Sequence, residues 1–276
     1  MPFHVYVGPN TDVKSITPQL LHSYFTGLKK RKLSPNTIYN YYRYIKSLFK
    51  YAVDQNIIDV SPFAFIPIKK KHRVHRNVLN VYKLKRLLCA YEKGNHYNEY
   101  YKARNRVILG LLIYCGLRTG EVARLKMNNI NLKDNYIKIE HDKLENDRII
   151  PIGEPLICWI KEYLYLRIKW KSDYFILADY TGNCIARSTV SLVIRKIREL
   201  ANINKELSPL LLRHTFASVM HEAGADLDIL KRLMGHYRLE QTAVYIKVSL
   251  KTMKTALLKN PLIKQFAISN EIRKMG

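Results

Sequence analysis

Apolar residues recur at intervals of three and four along most of this chain, and this helical periodicity restricts the possible folds more than any other feature. Thr17-Pro18 and Ser34-Pro35 begin the first two helical stretches, because a capping hydroxyl followed by a proline is typical of a helix start. A third capping hydroxyl, Thr119, is expected to begin a short helix. Further helices are predicted over 80–90, 100–114, 119–125, 155–170, 188–201, 209–223, 226–234, 239–247 and 250–258.

Strand-like alternation of apolar and polar residues occurs in two short runs, 135–140 and 148–152, which a polar segment joins. Two such runs so close in sequence predict a β-hairpin, and it is expected to be the main sheet element of the chain. The predicted fold class is therefore mainly α with a small β-hairpin or sheet, so that the part of the chain containing the hairpin is α+β.

A basic segment without periodicity separates the helical stretches into two groups, and such a segment is typical of a linker. Its basic residues include Lys69, Lys70, Lys71 and Arg73. The predicted organisation is a small helical domain, a linker, a larger domain and a C-terminal tail, at 1–66, 67–77, 78–260 and 261–276.

The charge balance indicates a polyanionic partner. The chain has 276 residues and carries 47 Lys and Arg against 22 Asp and Glu, a formal net charge of +25. Such an excess favours nucleic acid over a small acidic ligand in a local basic pocket. Arg43, Lys46 and Lys50 lie on the polar face of the second predicted helix. Together with the basic residues of the linker they are candidate contacts to DNA phosphates, with an ordinary solvated face as the alternative.

Several other classes of protein are disfavoured. No apolar run approaches the roughly 18–20 residues that span a bilayer, and the N-terminal residues lack a leader pattern. We therefore expect a cytoplasmic, nucleoid-associated protein without a membrane partner. The four cysteines stand far apart, which predicts buried, reduced thiols rather than a disulfide framework. No His, Cys and carboxylate set has metal-ligand spacing, so we expect neither a metal nor a cofactor.

Three segments place Arg, His and Tyr near the ends of predicted helices. They are GLRTGE (residues 116–121), LRHT (212–215), and GH (235–236) with Tyr245 nine residues after the histidine. Singly, each has an ordinary explanation as a surface arginine, a turn or a core tyrosine. In this combination and order they resemble the signature of the tyrosine recombinase or phage integrase family, and the resemblance covers nearly the whole chain.

The resemblance implies a set of site residues. Arg118 matches the family's first catalytic arginine, and Glu121 matches the acidic residue that supports it. Lys143 stands where the family has a lysine on its β-hairpin. Arg213 matches the second arginine, and His236 matches a His that is sometimes Trp. Tyr245 matches the nucleophile. Two arginines can neutralise the non-bridging oxygens of a phosphodiester, a lysine can protonate the leaving oxygen, and a tyrosine can attack phosphorus.

The resemblance also implies an architecture and partners. Residues 1–66 would be a SAM-like core-binding domain and residues 78–260 the catalytic domain, which together would form a C-shaped clamp on duplex DNA. The partners would be double-stranded DNA with specific recombination sites, three further copies in a homo-tetramer on synapsed DNA, and accessory DNA-bending proteins. The tail at 261–276 would dock on a neighbouring subunit.

One position departs from the family pattern. The family usually has a histidine three residues before the second arginine, but this chain has Leu210. A leucine side chain cannot accept a proton, so we expect a slower enzyme. Two alternatives remain open: a type IB topoisomerase-like nicking and sealing enzyme, and a catalytically silent DNA-binding or architectural protein. Integration, excision, cointegrate resolution and dimer resolution are all compatible with the sequence.

Overall fold

A computed structural model describes residues 2–66, 78–140, 147–167, 174–179, 181–203, 207–235 and 250–263. The chain folds as two compact units, Met1–His75 and Arg76–Gly276. Each unit has its own hydrophobic core. Among the described residues, no helix is both long enough and apolar enough to cross a membrane.

The smaller unit contains three helices in its described part, α1 (Phe3–Val7), α2 (Pro18–Lys30) and α3 (Pro35–Asp54). The predicted caps of α2 and α3 are confirmed. The Thr17 hydroxyl accepts a hydrogen bond from the Leu20 amide at 3.2 Å, and the Ser34 hydroxyl accepts one from the Thr37 amide at 3.1 Å. These caps satisfy backbone donors at the helix starts, which would otherwise lack partners.

Aromatic rings fill the core of the smaller unit. The ring of Phe63, in a short 3₁₀ turn over Pro62–Phe65, lies 4.9 Å from the ring of Tyr42 and 5.7 Å from that of Phe49. Because Tyr42 and Phe49 both lie on the buried face of α3, this packing fixes which face of α3 is left to solvent.

The larger unit is mainly helical. Its helices in the described ranges are α4 (Val81–Lys93), α5 (Glu99–Ile113), α6 (Thr119–Ala123), α7 (Glu154–Arg167), α8 (Arg187–Leu200), α9 (Pro209–Glu222), α10 (Leu227–Met234) and α11 (Leu250–Leu258). Helix α5 is apolar on all sides from Val107 to Ile113, which is typical of a buried central helix. It packs against α7, α8 and α9. A Cβ on Gly110 would lie 2.8 Å from Leu156 Cδ1, so the glycine permits the close contact of α5 with α7.

A three-stranded antiparallel sheet accompanies these helices, with β1 (Ile130–Asn131), β2 (Tyr136–Ile139) and β3 (Arg148–Pro151) in that order. Ile137 of β2 pairs with Ile150 of β3, and both are buried. The predicted hairpin is therefore confirmed, and with it the mainly α fold class with a small sheet. Strand β1 was not predicted, because two residues are too few to show an alternating pattern.

The structure corrects several local predictions. Thr119 does not cap α6; Arg118 occupies that position, and its amide donates to the Glu121 side chain. The four cysteines are free, as expected, but only Cys115 is fully buried, whereas Cys89 is exposed. Burial raises the pKa of the Cys115 thiol to about 12, so it stays protonated at neutral pH. The helix predicted over 239–247 lies outside the described residues.

Candidate active site

The N-terminus of α6 places the first pair of site residues. The Glu121 carboxylate accepts a hydrogen bond from the Arg118 amide at 2.7 Å, which satisfies one of the free donors of the first turn. The same carboxylate accepts a second hydrogen bond, from Arg118 Nη1 at 3.0 Å. Glu121 thus fixes both the backbone and the side chain of Arg118. The Arg118 side chain remains 37% exposed, so solvent still reaches it.

Arg213 reaches the same place from α9. The Ser208 hydroxyl caps this helix, and Pro209 occupies its first turn. The Arg213 side chain is buried, and its Nη1 donates to the carbonyl oxygen of Gly116 at 2.6 Å. Gly116 has a φ of +60°, a conformation that favours glycine. The loop that carries Arg118 therefore also orients Arg213.

A residue that sequence reasoning did not single out completes the group. Arg148 of β3 is buried, and its Nη1 and Nη2 donate to the two carboxylate oxygens of Glu121 at 3.0 and 2.8 Å. This is a forked, bidentate pair, the strongest geometry for a guanidinium and a carboxylate. Arg118, Glu121, Arg148 and Arg213 are called the arginine cluster below. Burial alone would raise the pKa of Glu121, but the hydrogen bonds and charges of Arg148 and Arg118 outweigh it, and the pKa lies below its ordinary value.

The C-terminal end of α10 holds all three arginines. The carbonyl oxygens of Leu233, Met234 and Gly235 accept hydrogen bonds from Arg148 Nε, Arg213 Nη2 and Arg118 Nη2, in that order. The Leu233 and Gly235 contacts measure 3.0 and 2.8 Å. Free carbonyls at a helix C-terminus carry partial negative charge and attract cations. Gly235 ends α10 in the left-handed conformation, with a φ of +63°.

A basic cavity of about 800 Å³ opens beside Arg118. Its charged lining residues are Arg118, Glu121, Arg124, Lys126, Lys138, Glu140 and Arg187. Lys126 and Lys138 form ion pairs with Glu140 at 3.2 and 3.4 Å, where β2 ends. Five cations against two carboxylates, in an open cavity next to the arginine cluster, suit a phosphate-rich ligand.

Several predicted site residues lie outside the described residues. They are Lys143, His236 and Tyr245, together with the linker residues Lys69, Lys70, Lys71 and Arg73. Their roles stay predictions. The sequence nevertheless sets two neighbours, because His236 directly follows Gly235 and Lys143 lies in the segment that connects β2 with β3.

The unusual Leu210 lies in the first turn of α9 and is 52% exposed. His214, one turn further along the same helix, lines a second cavity of about 420 Å³ together with His221 and Lys231. Arg213, by contrast, points to the carbonyls of Gly116 and Met234. His214 therefore lies at the second cavity and not in the arginine cluster.

The predicted DNA contacts of the smaller unit lie on one surface. Arg43, Lys46 and Lys50 are exposed on α3, outside the buried face that carries Tyr42 and Phe49. The ammonium group of Lys46 lies 5.7 Å from the Tyr42 ring centroid, a cation–π contact. An exposed row of three cations on one helix can follow a phosphate backbone.

Arg148 could have been found from the sequence by its position. In the predicted strand over 148–152, residues 148, 150 and 152 share one face, and that face carries Ile150 and Ile152. A charged residue on a buried face requires a partner. No comparable sequence pattern marks the other cations that line the basic cavity, which are Arg124, Lys126, Lys138 and Arg187.

Comparison with known proteins places this geometry in a defined class. The Phage integrase SAM-like domain matches residues 3–74, and the Phage integrase family matches residues 77–251. A SAM-like unit followed by a phage integrase unit, with paired arginines at the start of α6 and in α9, defines the class of the protein. The chain belongs to the phage integrase family.

Individual relatives support this assignment. The chain is 26% identical, over 245 residues, to a tyrosine recombinase XerD of Listeria innocua, an alignment that covers 87% of this chain and 80% of the relative. Its fold is similar to that of XerH site-specific recombinase bound to its difH substrate, with a TM-score of 0.69 and 21% identity. That alignment covers 98% of this chain and 76% of the XerH chain. Its fold is also similar to that of the Tn1549 transposon integrase in complex with a circular intermediate DNA, with a TM-score of 0.67 and 17% identity. That alignment covers 96% of this chain and 87% of the integrase chain.

Proposed function

We propose that the protein is a site-specific DNA recombinase that cleaves and rejoins duplex DNA through a covalent 3′-phosphotyrosine intermediate and a Holliday junction. One observation carries the proposal: Arg118 and Arg213, from α6 and α9, converge on consecutive carbonyls at the end of α10, directly before His236. Two arginines held side by side next to a basic cavity can bind a phosphodiester and stabilise the charge that develops on it.

The proposed chemistry needs neither metal nor cofactor. The Tyr245 oxygen attacks phosphorus, a bond forms between them, and the bond from phosphorus to the 5′ oxygen breaks. Lys143 gives its proton to the leaving 5′ oxygen, and His236 donates a hydrogen bond to a non-bridging oxygen. The phosphotyrosine conserves the energy of the broken bond, so the reverse attack by a 5′ hydroxyl rejoins the strand without ATP.

Removal of the tyrosine proton is the step most affected by Leu210. A phenol titrates near pH 10, so its ionisation at neutral pH costs about 4 kcal/mol unless a base accepts the proton or cations stabilise the anion. Leu210 offers no acceptor. We propose that His236 or a water molecule accepts the proton, or that the positive charge of the arginine cluster stabilises the tyrosine anion while water takes up the proton, at a lower rate of cleavage.

The proposed partners follow from the charge and the fold. Residues 1–66 bind DNA through α3, residues 67–77 form a basic linker, and residues 78–260 carry out catalysis on specific recombination sites. Four copies assemble on two synapsed sites, with the tail at 261–276 docked on a neighbouring copy, in the cytoplasm and with accessory DNA-bending proteins. The structural relatives named above, which are recombinases bound to DNA, support a DNA partner.

A recombination assay tests the proposal against both alternatives. A plasmid with two copies of a DNA fragment that the protein binds specifically is incubated with it, without metal or ATP, and the products are resolved on gels. A recombinase gives rearranged circles from the two-site plasmid. Relaxation of a one-site plasmid without rearrangement would instead identify a nicking and sealing enzyme, and specific binding without any product would identify a silent DNA-binding protein.

A further inference from the structure

Arg148 is a buried cation of the arginine cluster, and it has no role in the proposed chemistry. Its guanidinium joins three separate elements: β3, which carries it, α6, through the two oxygens of Glu121, and α10, through the Leu233 carbonyl. The side chains of Arg148 and Glu121 are each 8% exposed, so the pair is shielded from solvent. A phosphodiester approaching from the basic cavity would meet Arg118, which is the more exposed arginine.

We propose that Arg148 is a positioning residue for DNA cleavage, which holds Glu121 and the end of α10 so that Arg118 and Arg213 are presented to the phosphodiester. This inference rests on the proposed function. The reaction itself is carried by other residues, and Arg148 acts through Glu121 and through the Leu233 carbonyl.

The charge balance of the arginine cluster explains why such a residue is needed. Three guanidinium groups and one carboxylate sum to +2 in the intact cluster. Without Arg148 the sum falls to +1, and the buried carboxylate loses its bidentate partner. An uncompensated buried charge is costly, so Glu121 would draw the Arg118 guanidinium more tightly to itself. Arg118 would then neutralise a protein carboxylate in place of a phosphate oxygen.

The backbone at Gly235 adds a second effect. Arg148 Nη1 would lie 2.9 Å from a Cβ at position 235, so the guanidinium packs directly on the residue before His236. The contacts of Arg148 with Leu233 and Gly235 therefore restrain the point where the chain leaves α10. Loss of Arg148 would release this end of the helix and, with it, the carbonyls that orient Arg118 and Arg213.

Single-turnover cleavage of a nicked duplex by the full chain tests the proposal. For Arg148→Met, we expect the cleavage rate at saturating DNA to fall by about 100-fold while the DNA dissociation constant changes by less than about 3-fold. Arg148→Lys keeps the charge but not the fork, so it should recover part of that rate. The matched control is Arg106→Lys, because Arg106 is also mostly buried and pairs with two carboxylates, Glu92 and Glu162, elsewhere in the same unit. This control should cleave at the normal rate.

Non-additivity distinguishes positioning from a purely structural role. In a Glu121→Gln background, Arg148→Met should cost clearly less than the roughly 100-fold it costs alone, because the route through Glu121 is already lost and only the contacts with Leu233 and Gly235 remain to be removed. Multiplicative losses, or equal losses of cleavage and DNA affinity in Arg148→Met, would overturn the proposal.

A measurement without DNA separates this inference from the proposed function. Carbon-13 NMR of the Glu121 carboxyl should show a higher pKa in Arg148→Lys and Arg148→Met than in the unmodified protein. An unchanged pKa would overturn the positioning role even if the protein cleaves DNA. If the unmodified protein gives no cleavage at all, the proposed function fails, and the NMR titration still decides whether Arg148 controls Glu121.

Discussion

At the scale of single residues, one carboxylate organises the site. Glu121 accepts hydrogen bonds from Arg118 and Arg148 and lies 3.9 Å from Arg213. Its pKa is lowered in the folded protein because these partners outweigh the effect of burial. A carboxylate with a lowered pKa contributes stability that is fully present above its unfolded pKa and is lost as the pH falls through its folded pKa.

The first prediction follows from the lowered pKa of Glu121. Glu121→Gln should lower the free energy of unfolding by about 1–3 kcal/mol at neutral pH. The difference from the unmodified protein should begin to shrink below about pH 4.3, the ordinary value for a glutamic acid, where the unfolded chain takes up a proton at Glu121. It should disappear only when the pH has fallen through the lower pKa of the folded protein. Urea unfolding at neutral and acidic pH measures this. Glu162→Gln removes one of the two carboxylate partners of Arg106; Glu162 is itself 42% exposed, so this control should change stability by less than about 1 kcal/mol. A constant difference at every pH would contradict the account.

The second prediction concerns Leu210. Because this side chain is 52% exposed, Leu210→His should fold without loss of stability. A histidine there supplies a proton acceptor on the turn that precedes Arg213, and we expect cleavage to accelerate by about tenfold or more. Single-turnover cleavage measures the rate. Leu200→His, at the end of α8 and 41% exposed, is the control and should leave it unchanged. Equal rates for Leu210→His and the unmodified protein would show that the site has another acceptor.

The residue scale also shows what a sequence can and cannot predict about this site. The family resemblance implies Arg118, Glu121 and Arg213 as site residues, and the structure brings all three together. The strand pattern places Arg148 on a buried face and so indicates that it needs a partner, but that partner, Glu121, lies 27 positions away, and no local spacing connects a strand residue to a helix N-terminus at that distance. Single-sequence patterns report the face of an element on which a residue lies, but not which element packs against that face.

At the scale of elements, the turn before α6 depends on a glycine. Gly116 has a φ of +60°, and a Cβ there would lie 2.4 Å from Phe216 Cδ1. Its carbonyl oxygen also accepts the hydrogen bond from Arg213. The connection from α5 to α6 therefore sets both the backbone path and the orientation of the second arginine.

The third prediction tests this turn. Gly116→Ala should destabilise the protein by about 1–3 kcal/mol, because the left-handed backbone and the contact with Phe216 both oppose a side chain. Gly27→Ala is the matched control: Gly27 lies inside α2, nothing approaches within 4 Å of its Cβ position, and the change should stabilise the protein by about 0.5–1 kcal/mol. Urea unfolding of both variants measures whether the free energy of unfolding falls for Gly116→Ala and rises for Gly27→Ala. A neutral Gly116→Ala would show that the turn adapts freely.

The elements themselves were predictable where periodicity was long and caps were present. Helices α2 and α3 begin at their predicted caps, and helix α9 begins after Ser208 as the pattern at 209–223 indicated. The predictions were wrong where an element is short or its cap is unusual. Helix α6 begins at Thr119, but its cap is Arg118, whose amide donates to Glu121 from inside the helix. Strand β1 has only two residues, which leaves no period to detect.

At the scale of the whole molecule, net charge determines how binding responds to salt. With a formal charge of +25, the protein should release many counterions from DNA. If it contacts about eight to ten phosphates, the logarithm of the binding constant should fall with the logarithm of salt concentration at a slope near −7 to −9. Fluorescence anisotropy at several salt concentrations measures the slope.

A triple variant makes this fourth prediction specific. Replacing Arg43, Lys46 and Lys50 by glutamine should make the slope shallower by about 2.7, since each lost phosphate contact contributes about 0.9. Replacement of Lys133, Lys161 and Lys196, which are not among our proposed DNA contacts, is the charge-matched control and should leave the slope within about 0.5 of its original value. An unchanged slope in the α3 variant would exclude this helix from the DNA interface.

In the mechanism we propose, Tyr245 attacks DNA and becomes covalently attached to it. The most direct measurement uses a nicked duplex bound specifically by the protein. After cleavage, the short fragment that carries the new 5′ hydroxyl, between the cleaved bond and the nick, diffuses away, so that the covalent intermediate accumulates. The protein is incubated with this DNA without metal or ATP, and the products are separated on a denaturing gel. We predict a protein–DNA adduct that is absent from Tyr245→Phe, although that variant binds the same DNA. Persistence of the adduct in Tyr245→Phe, or specific binding by the unmodified protein with no adduct, would contradict this mechanism.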